Sequence, residues 1–107
     1  IEAGASPDGL VNHDGLVEIK CPNTATHIET LKSKEIPKIY IPQVQGQMWI
    51  TGRKWCDFVS FDPRLPDNAR YIKIHIKRDD DYINRLEKEV ESFMESVREL
   101  ENFVKQY

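Results

Sequence analysis

The clearest pattern in the chain is a strict alternation of apolar and polar residues at 70–77, RYIKIHIK. Isoleucine occupies every second position, and Tyr71, Lys73, His75 and Lys77 fall on the other face. An alternation with a period of two predicts a strand with one face buried and one exposed. On this pattern, His75 is expected to be solvated and not to bind a ligand.

A second strand is predicted at 54–61, KWCDFVSF, where the alternation is looser. Between the two strands, residues 62–68 contain Asp, Pro and Asn, a composition typical of a turn. Because the connection is short, the two strands are expected to pair in an antiparallel arrangement.

An N-terminal hairpin is predicted from the apolar runs on either side of NHDG. Its two arms are residues 3–11 and 15–20. Successive side chains of a strand point to opposite faces, so Glu18 and Lys20 share a face, about 6–7 Å apart. Val17 and Ile19 are expected to point the other way, into a core.

The pairing register of this hairpin decides whether its acids meet. If Leu10 pairs with Leu16, Asp8 lies directly opposite Glu18 and the two carboxylates converge. If Val11 pairs with Leu16 instead, Asp8 falls on the other face, because a slip of one residue reverses every side chain. A shared site requires the first register.

Three helices are predicted, at residues 24–34, 39–51 and 79–106. His27 is expected on the surface of the first. The second is apolar over most of its circumference and should be largely buried, which leaves Gln43 and Gln47 in need of hydrogen-bond partners. The third carries apolar residues at alternating spacings of three and four, so its stripe is expected to pack on the sheet or on another chain.

Length and composition indicate a single globular domain over residues 1–107. No apolar run approaches the length that spans a membrane. Cys21 and Cys56 match no zinc or disulfide spacing, so free, buried thiols in a reducing compartment, the cytoplasm, are expected. The chain opens with Ile1 and not with Met, which favours a piece whose N-terminal part is missing.

Charge is unevenly distributed along the chain, whose net charge is −3. Residues 1–77 carry ten Lys and Arg against nine Asp and Glu, whereas residues 78–107 carry five against nine. The acidic excess therefore lies in the C-terminal segment. A locally basic surface for a polyanion remains compatible with the rest of the chain.

Asp8, Glu18 and Lys20 together predict a site for phosphodiester hydrolysis. Carboxylates are the hard oxygen ligands that Mg²⁺ prefers, and the backbone carbonyl of Ile19 is a further candidate ligand. Lys20 would orient the attacking water or stabilise the phosphate in the transition state. Gln43 could hydrogen-bond a carboxylate, a metal-bound water or a phosphate. The alternative is an ordinary exposed hairpin with a surface ion pair.

Four motifs, SPDGL, LVEIKCP, YIPQVQGQMWITG and WCDFVSFDPR, occur in this order along the chain. Together they resemble the phage lambda exonuclease family, the YqaJ-like viral recombinases of the PD-(D/E)XK nuclease superfamily. The resemblance implies an α/β (α+β) fold with a restriction-endonuclease-like core, a mixed central β-sheet flanked by helices. It also implies a deoxyribonuclease that depends on Mg²⁺, or Mn²⁺ in its place, and digests duplex DNA from the 5′ end for recombination.

The same resemblance implies roles for individual residues. Asp8 and Glu18 match the metal ligands, and Lys20 matches the catalytic lysine. Gln43 matches a glutamine near the active site, and Ser6 matches a serine that contacts the terminal 5′ phosphate. Double-stranded DNA, further copies of the chain in a homo-oligomer such as a trimer, and a single-strand annealing protein are the implied partners.

Some family features have no counterpart in residues 1–107: the N-terminal helices, a further acid upstream of the hairpin and an arginine that binds the 5′ phosphate. Glu2 does not match the position of that acid. Two alternatives to an exonuclease therefore stay open. One is a DNA-binding or oligomerisation fragment that does not cleave, and the other is an endonuclease built on the same core.

Overall fold

The computed structural model describes residues 8–106, which fall into two compact units, residues 8–78 and residues 79–106. The elements in chain order are β1 (Gly9–Val11), β2 (Gly15–Lys20), α1 (Thr24–Ser33), a 3-10 helix (Lys38–Tyr40), α2 (Ile41–Thr51), β3 (Trp55–Phe61), a second 3-10 helix (Asp67–Ala69), β4 (Tyr71–Lys77) and α3 (Asp80–Lys105). The expectation of one domain over residues 1–107 stays a prediction.

A four-stranded sheet in the order β1-β2-β3-β4 forms the frame of the first unit. β1 and β2 are antiparallel, β2 and β3 are parallel, and β3 and β4 are antiparallel. Parallel neighbours need a crossover of about a dozen residues or more, and the segment that contains α1 and α2 supplies it. The predicted α/β fold, with a mixed sheet and flanking helices, is confirmed.

The core lies on one face of this sheet, against α2. Leu16 of β2, Cys56 and Phe58 of β3, and Val44 and Met48 of α2 are all fully buried. Removing each large apolar side chain from water contributes about 1.5–3 kcal/mol. This packing fixes the position of α2 over β2 and β3.

The predicted orientation of β2 is wrong. The side chain of Ile19 is 49% exposed, whereas Glu18 is 3% exposed and lies on the core face together with Leu16. The parallel register explains the difference, because it sets Glu18 beside the buried Phe58. A buried carboxylate is costly unless it has partners, so its surroundings need to supply them.

Both ends of α2 are fixed by backbone geometry. The helix begins at Ile41, directly after the 3-10 turn Lys38–Tyr40. Gly52 ends it with φ 71°, a left-handed conformation that glycine adopts without steric cost. The guanidinium of Arg78 donates to the carbonyl of Met48 at 2.6 Å, which satisfies one of the free carbonyls at the end of the helix.

The prediction that His27 lies on the surface is wrong, because its side chain is fully buried in α1. Its Nε2 lies 2.7 Å from the carbonyl oxygen of Ala69, and its Nδ1 lies 2.7 Å from the hydroxyl of Ser60. Since a carbonyl oxygen only accepts, Nε2 donates to Ala69, whereas the direction of the hydrogen bond between Nδ1 and the Ser60 hydroxyl depends on the tautomer of the ring. His27 thus ties α1 to β3 and to the turn before β4.

The turn after β3 is built around the buried carboxylate of Asp62. Its Oδ1 accepts from the backbone N–H and the Nε of Arg64, at 3.0 and 2.8 Å, and its Oδ2 accepts from the hydroxyl of Thr24 at 2.7 Å. Hydrogen bonds from Arg64, followed by the one from Thr24, lower the pKa of Asp62 from its ordinary 3.8 to about 2. The same contact raises the pKa of Arg64.

We expect Asp62→Asn to destabilise the protein near neutral pH, and we expect this difference to shrink in acid. Because the pKa of Asp62 is lowered in the folded state, its stabilising effect is complete above 3.8 and is lost as the pH falls through about 2. Urea unfolding of the wild type and of Asp62→Asn between about pH 7 and about pH 2 measures the difference in the free energy of unfolding. Asp67→Asn, at an exposed residue of the same turn, is the control. A difference that stays constant over the whole range would contradict the prediction.

The second unit is α3. Its N-terminus is capped by Asp79, whose carboxylate accepts from the backbone N–H of Tyr82 at 3.0 Å, and two further acids of its first turn favour the positive end of the helix dipole. Large apolar side chains are exposed along its C-terminal half: Phe93, Leu100, Phe103 and Val104. That this stripe packs on the sheet or on another chain stays a prediction. Within residues 8–106, none of the helices combines the length and the hydrophobicity that a membrane span requires.

Candidate active site

The register of the N-terminal hairpin agrees with the one that a shared site requires. Leu10 pairs with Leu16, and Gly9 pairs with Val17. The ladder ends at the pair Gly9 and Val17, and the same register continued by one position would set Asp8 opposite Glu18. Directly opposite residues of an antiparallel pair lie on the same face, with Cβ atoms about 4.5–5.5 Å apart.

Asp8 continues the hairpin beyond the last ladder pair. Its Oδ2 accepts a hydrogen bond of 2.6 Å from the backbone N–H of Ile19. In a strand, the N–H and the C=O of one residue point towards the same neighbour. The carbonyl of Ile19 therefore also points to the side of β2 on which Asp8 lies, which is the orientation that a backbone metal ligand would need.

Glu18 is the most deeply buried acid of this group, with 3% of the residue exposed. Its Oε1 accepts from the side-chain amide of Gln43 at 3.3 Å and lies 3.4 Å from the Nζ of Lys20. Its Oε2 is buried and has no hydrogen-bond partner among the described residues. Buried carboxylate oxygens without a protein donor are rare in folded proteins, and a bound water or ion is one explanation of such an atom.

Lys20 has two contacts that define where its ammonium lies. One is the ion pair with Glu18, and the other is the ring of Tyr40, whose centroid is 5.3 Å from Nζ. Only 25% of the lysine side chain is exposed. Behind Tyr40, the ring of Phe58 lies 5.5 Å away, centroid to centroid.

The start of α2 and the residue directly before it line the site next to β2. Tyr40 and Gln43 are three residues apart, a spacing that places side chains next to each other on a helix. Gln43 contacts Glu18, and Tyr40 contacts Lys20. Gln43 was predicted from the sequence to lie near the site, whereas Tyr40 was not. Both residues share one side of the predicted helix, and this pattern could have identified Tyr40.

A thiol lies close to the site but is not activated. Burial, followed by the negative charges of Glu18 and Asp57, raises the pKa of Cys56 to about 12. A thiolate is the nucleophilic form of cysteine, so Cys56 stays protonated and unreactive near neutral pH. Cys21 is free but exposed, so the expectation of a buried thiol is wrong for this residue.

Other predicted residues lie apart from this cluster. The side chain of His75 contacts the carboxylate of Asp57 at 2.7 Å on the face of the sheet that does not carry Glu18. The Oε1 of Gln47 is buried and has no partner among the described residues. Ser6 lies outside the described residues.

Side chains alone do not complete a metal site in the described residues. Among them, no group of three or more His, Cys, Asp or Glu side chains is arranged so that it could hold a metal ion. Mg²⁺ typically uses one or two carboxylates and keeps several waters, so two acids and a backbone carbonyl are a sufficient set. The unpartnered oxygen of Glu18 makes the residues present a fit for such an ion.

Residues 2–54 match the model of the YqaJ-like viral recombinase domain. The comparison with curated proteins gives no match.

Among solved structures, the crystal structure of an alkaline exonuclease, LHK-Exo from Laribacter hongkongensis, matches with a TM-score of 0.89 and 52% sequence identity. The match covers 96% of this chain and 53% of LHK-Exo, so this chain spans about half the length of that enzyme. A crystal structure of LHK-Exo in complex with dAMP matches with the same TM-score, identity and coverage. The match over residues 2–54 and the similarity to this enzyme over nearly the whole of the chain show that the chain contains a YqaJ-like viral recombinase domain.

Proposed function

We propose that this chain carries the catalytic residues of a Mg²⁺-dependent deoxyribonuclease that digests duplex DNA from the 5′ end. The observation that carries the proposal is the carboxylate of Glu18. One of its oxygens faces two donors, and the other is buried without a partner among the described residues. Similarity to an alkaline exonuclease, at 52% sequence identity, supports the same function.

Asp8, Glu18 and the carbonyl of Ile19 are the groups that would hold the ion. When bound, Mg²⁺ would lower the pKa of a water and neutralise charge on the scissile phosphate. Mn²⁺ has the same preference for oxygen ligands and would substitute for it. In this proposal, the hydrogen bond from Ile19 to Asp8 holds the second acid beside the first.

The remaining residues would act on the phosphate and the water. The ammonium of Lys20, held beside Glu18, would stabilise charge that develops on the phosphate oxygens or orient the attacking water. Gln43 would keep the carboxylate of Glu18 in one orientation through its amide. Ser6 is proposed as a contact of the 5′ phosphate on the family resemblance alone.

Charge supports a nucleic acid as substrate for the first unit. Residues 8–78 carry eleven Lys and Arg against eight Asp and Glu, an excess of three positive charges. Phosphate contacts supply most of the affinity of proteins for DNA. A homo-oligomer, with a trimer as the first candidate, and a single-strand annealing protein as partner remain predictions.

The decisive experiment offers the purified protein a linear duplex with 5′ phosphates and a covalently closed circle of the same sequence. Digestion of the linear form alone, with Mg²⁺ or Mn²⁺ and not with a chelator, is the expected result. Cleavage of the circle would show that the protein is an endonuclease and not an exonuclease. Binding of the duplex that weakens with salt, without digestion in Mg²⁺, would overturn the catalytic proposal in favour of a DNA-binding fragment.

A further inference from the structure

We propose that Tyr40 is a positioning residue for Lys20, and that the face of its ring holds the ammonium beside Glu18. The inference rests on the proposed function, since it assigns a role to a residue of the same site. The chemistry is a cation–π interaction, in which the negative face of an aromatic ring attracts a positive charge.

The distances support this role. The Nζ of Lys20 is 5.3 Å from the centroid of the Tyr40 ring, within the range of about 6 Å over which the interaction acts. Lysine has a flexible four-carbon stem and a strongly hydrated head. An ion pair with Glu18 fixes one direction only, and the ring supplies the second contact that confines the ammonium.

The ring is itself held by the fold and not by the lysine. It packs against the fully buried Phe58, with centroids 5.5 Å apart and planes inclined by 33°. The backbone N–H of Tyr40 donates to the carbonyl of Pro37 at 3.0 Å, in the 3-10 turn that leads into α2. Tyr40 therefore positions Lys20, and the reverse does not hold.

Phe58 links the contact between Tyr40 and Lys20 to Glu18, the second proposed catalytic residue. It is the register partner of Glu18 in the parallel pair of β2 and β3, and it is also the support of the Tyr40 ring. One aromatic pair thus sets the relative position of the carboxylate and the ammonium. In the first turn of α2, three residues after Tyr40, the amide of Gln43 donates to the carboxylate of Glu18.

The face of the ring and not its hydroxyl carries the effect, because no hydrogen bond of the Tyr40 hydroxyl is present among the described residues. Tyr40→Phe keeps the face and is expected to behave as the wild type. Tyr40→Leu removes it and is expected to lower kcat about three- to thirtyfold, the range of a partly desolvated cation–π contact. KM for DNA is expected to change little, because the substitution leaves the charge of Lys20 and of every other basic side chain unchanged.

The test combines this kinetic comparison with proton NMR of the Lys20 methylene groups, assigned with Lys20→Arg. In the wild type and in Tyr40→Phe, the ring current is expected to displace the ε-methylene signals from their random-coil values. In Tyr40→Leu, the displacement is expected to disappear. Tyr40→Met, with a flexible chain of similar length, provides a second ring-free variant should the leucine variant fold poorly.

Two results would overturn the inference: Lys20 signals at random-coil values in the wild type, or an equal loss of kcat in Tyr40→Phe and Tyr40→Leu. The NMR measurement needs no catalysis. If the wild type does not digest DNA, the proposed function fails, and the Lys20 signals still decide whether the ring holds the ammonium.

Discussion

Glu18→Gln is expected to lower metal-dependent hydrolysis of linear duplex DNA by about a hundredfold to a thousandfold, the loss that follows removal of one preorganised electrostatic group. The amide oxygen of glutamine keeps its place between Gln43 and Lys20. Its nitrogen then occupies the position of the unpartnered Oε2, where a donor repels the cation that an acceptor would bind. Initial rates at saturating Mg²⁺ measure the effect.

Binding of Mn²⁺, followed by calorimetry without DNA, provides a second measurement that does not depend on turnover. We expect the affinity to fall by more than about tenfold, because even changes to groups that only support a metal ligand have effects of this size. Glu29→Gln, the same change at an exposed position of α1, is the matched control and is expected to leave both quantities unaltered. An unchanged Mn²⁺ affinity in Glu18→Gln would contradict the assignment of this acid as a ligand.

The hairpin shows how far the sequence alone could predict the site. The pairing of Leu10 with Leu16 followed from the requirement that two acids meet, and the observed register agrees. Side-chain alternation has a period of two, so only one choice of register serves this requirement. The bounds of β2 and β4 also followed closely from the sequence pattern.

The face of β2 that meets the core could not be predicted in this way. The pattern treats a charged side chain as exposed, so it turned Glu18 and Lys20 outwards and Ile19 inwards. The buried position of Glu18 depends in part on a donor from α2, the amide of Gln43, which lies more than twenty residues further along the chain. His27 was misplaced for a related reason, because its partners Ser60 and Ala69 come close only in the folded chain.

Phe58→Ala is expected to have the largest effect on stability, a loss of about 3–5 kcal/mol in the free energy of unfolding. Phe58 is fully buried at the centre of β3, between β2 and β4, and its ring packs against Tyr40. Truncation leaves a cavity next to the carboxylate of Glu18, its register partner. Since the stability of a domain is about 5–15 kcal/mol, a large part of it would be lost. Urea denaturation followed by far-ultraviolet circular dichroism measures the change.

Phe61→Ala is the matched control, because this phenylalanine lies in the same strand and is 36% exposed. Its loss is expected to be less than about half that of Phe58→Ala, since less apolar surface returns to water and no closed cavity forms. Equal losses in the two variants would contradict the position of the core between α2 and the sheet. They would also contradict the role of Phe58 as the support of the Tyr40 ring, which in turn contacts the ammonium of Lys20.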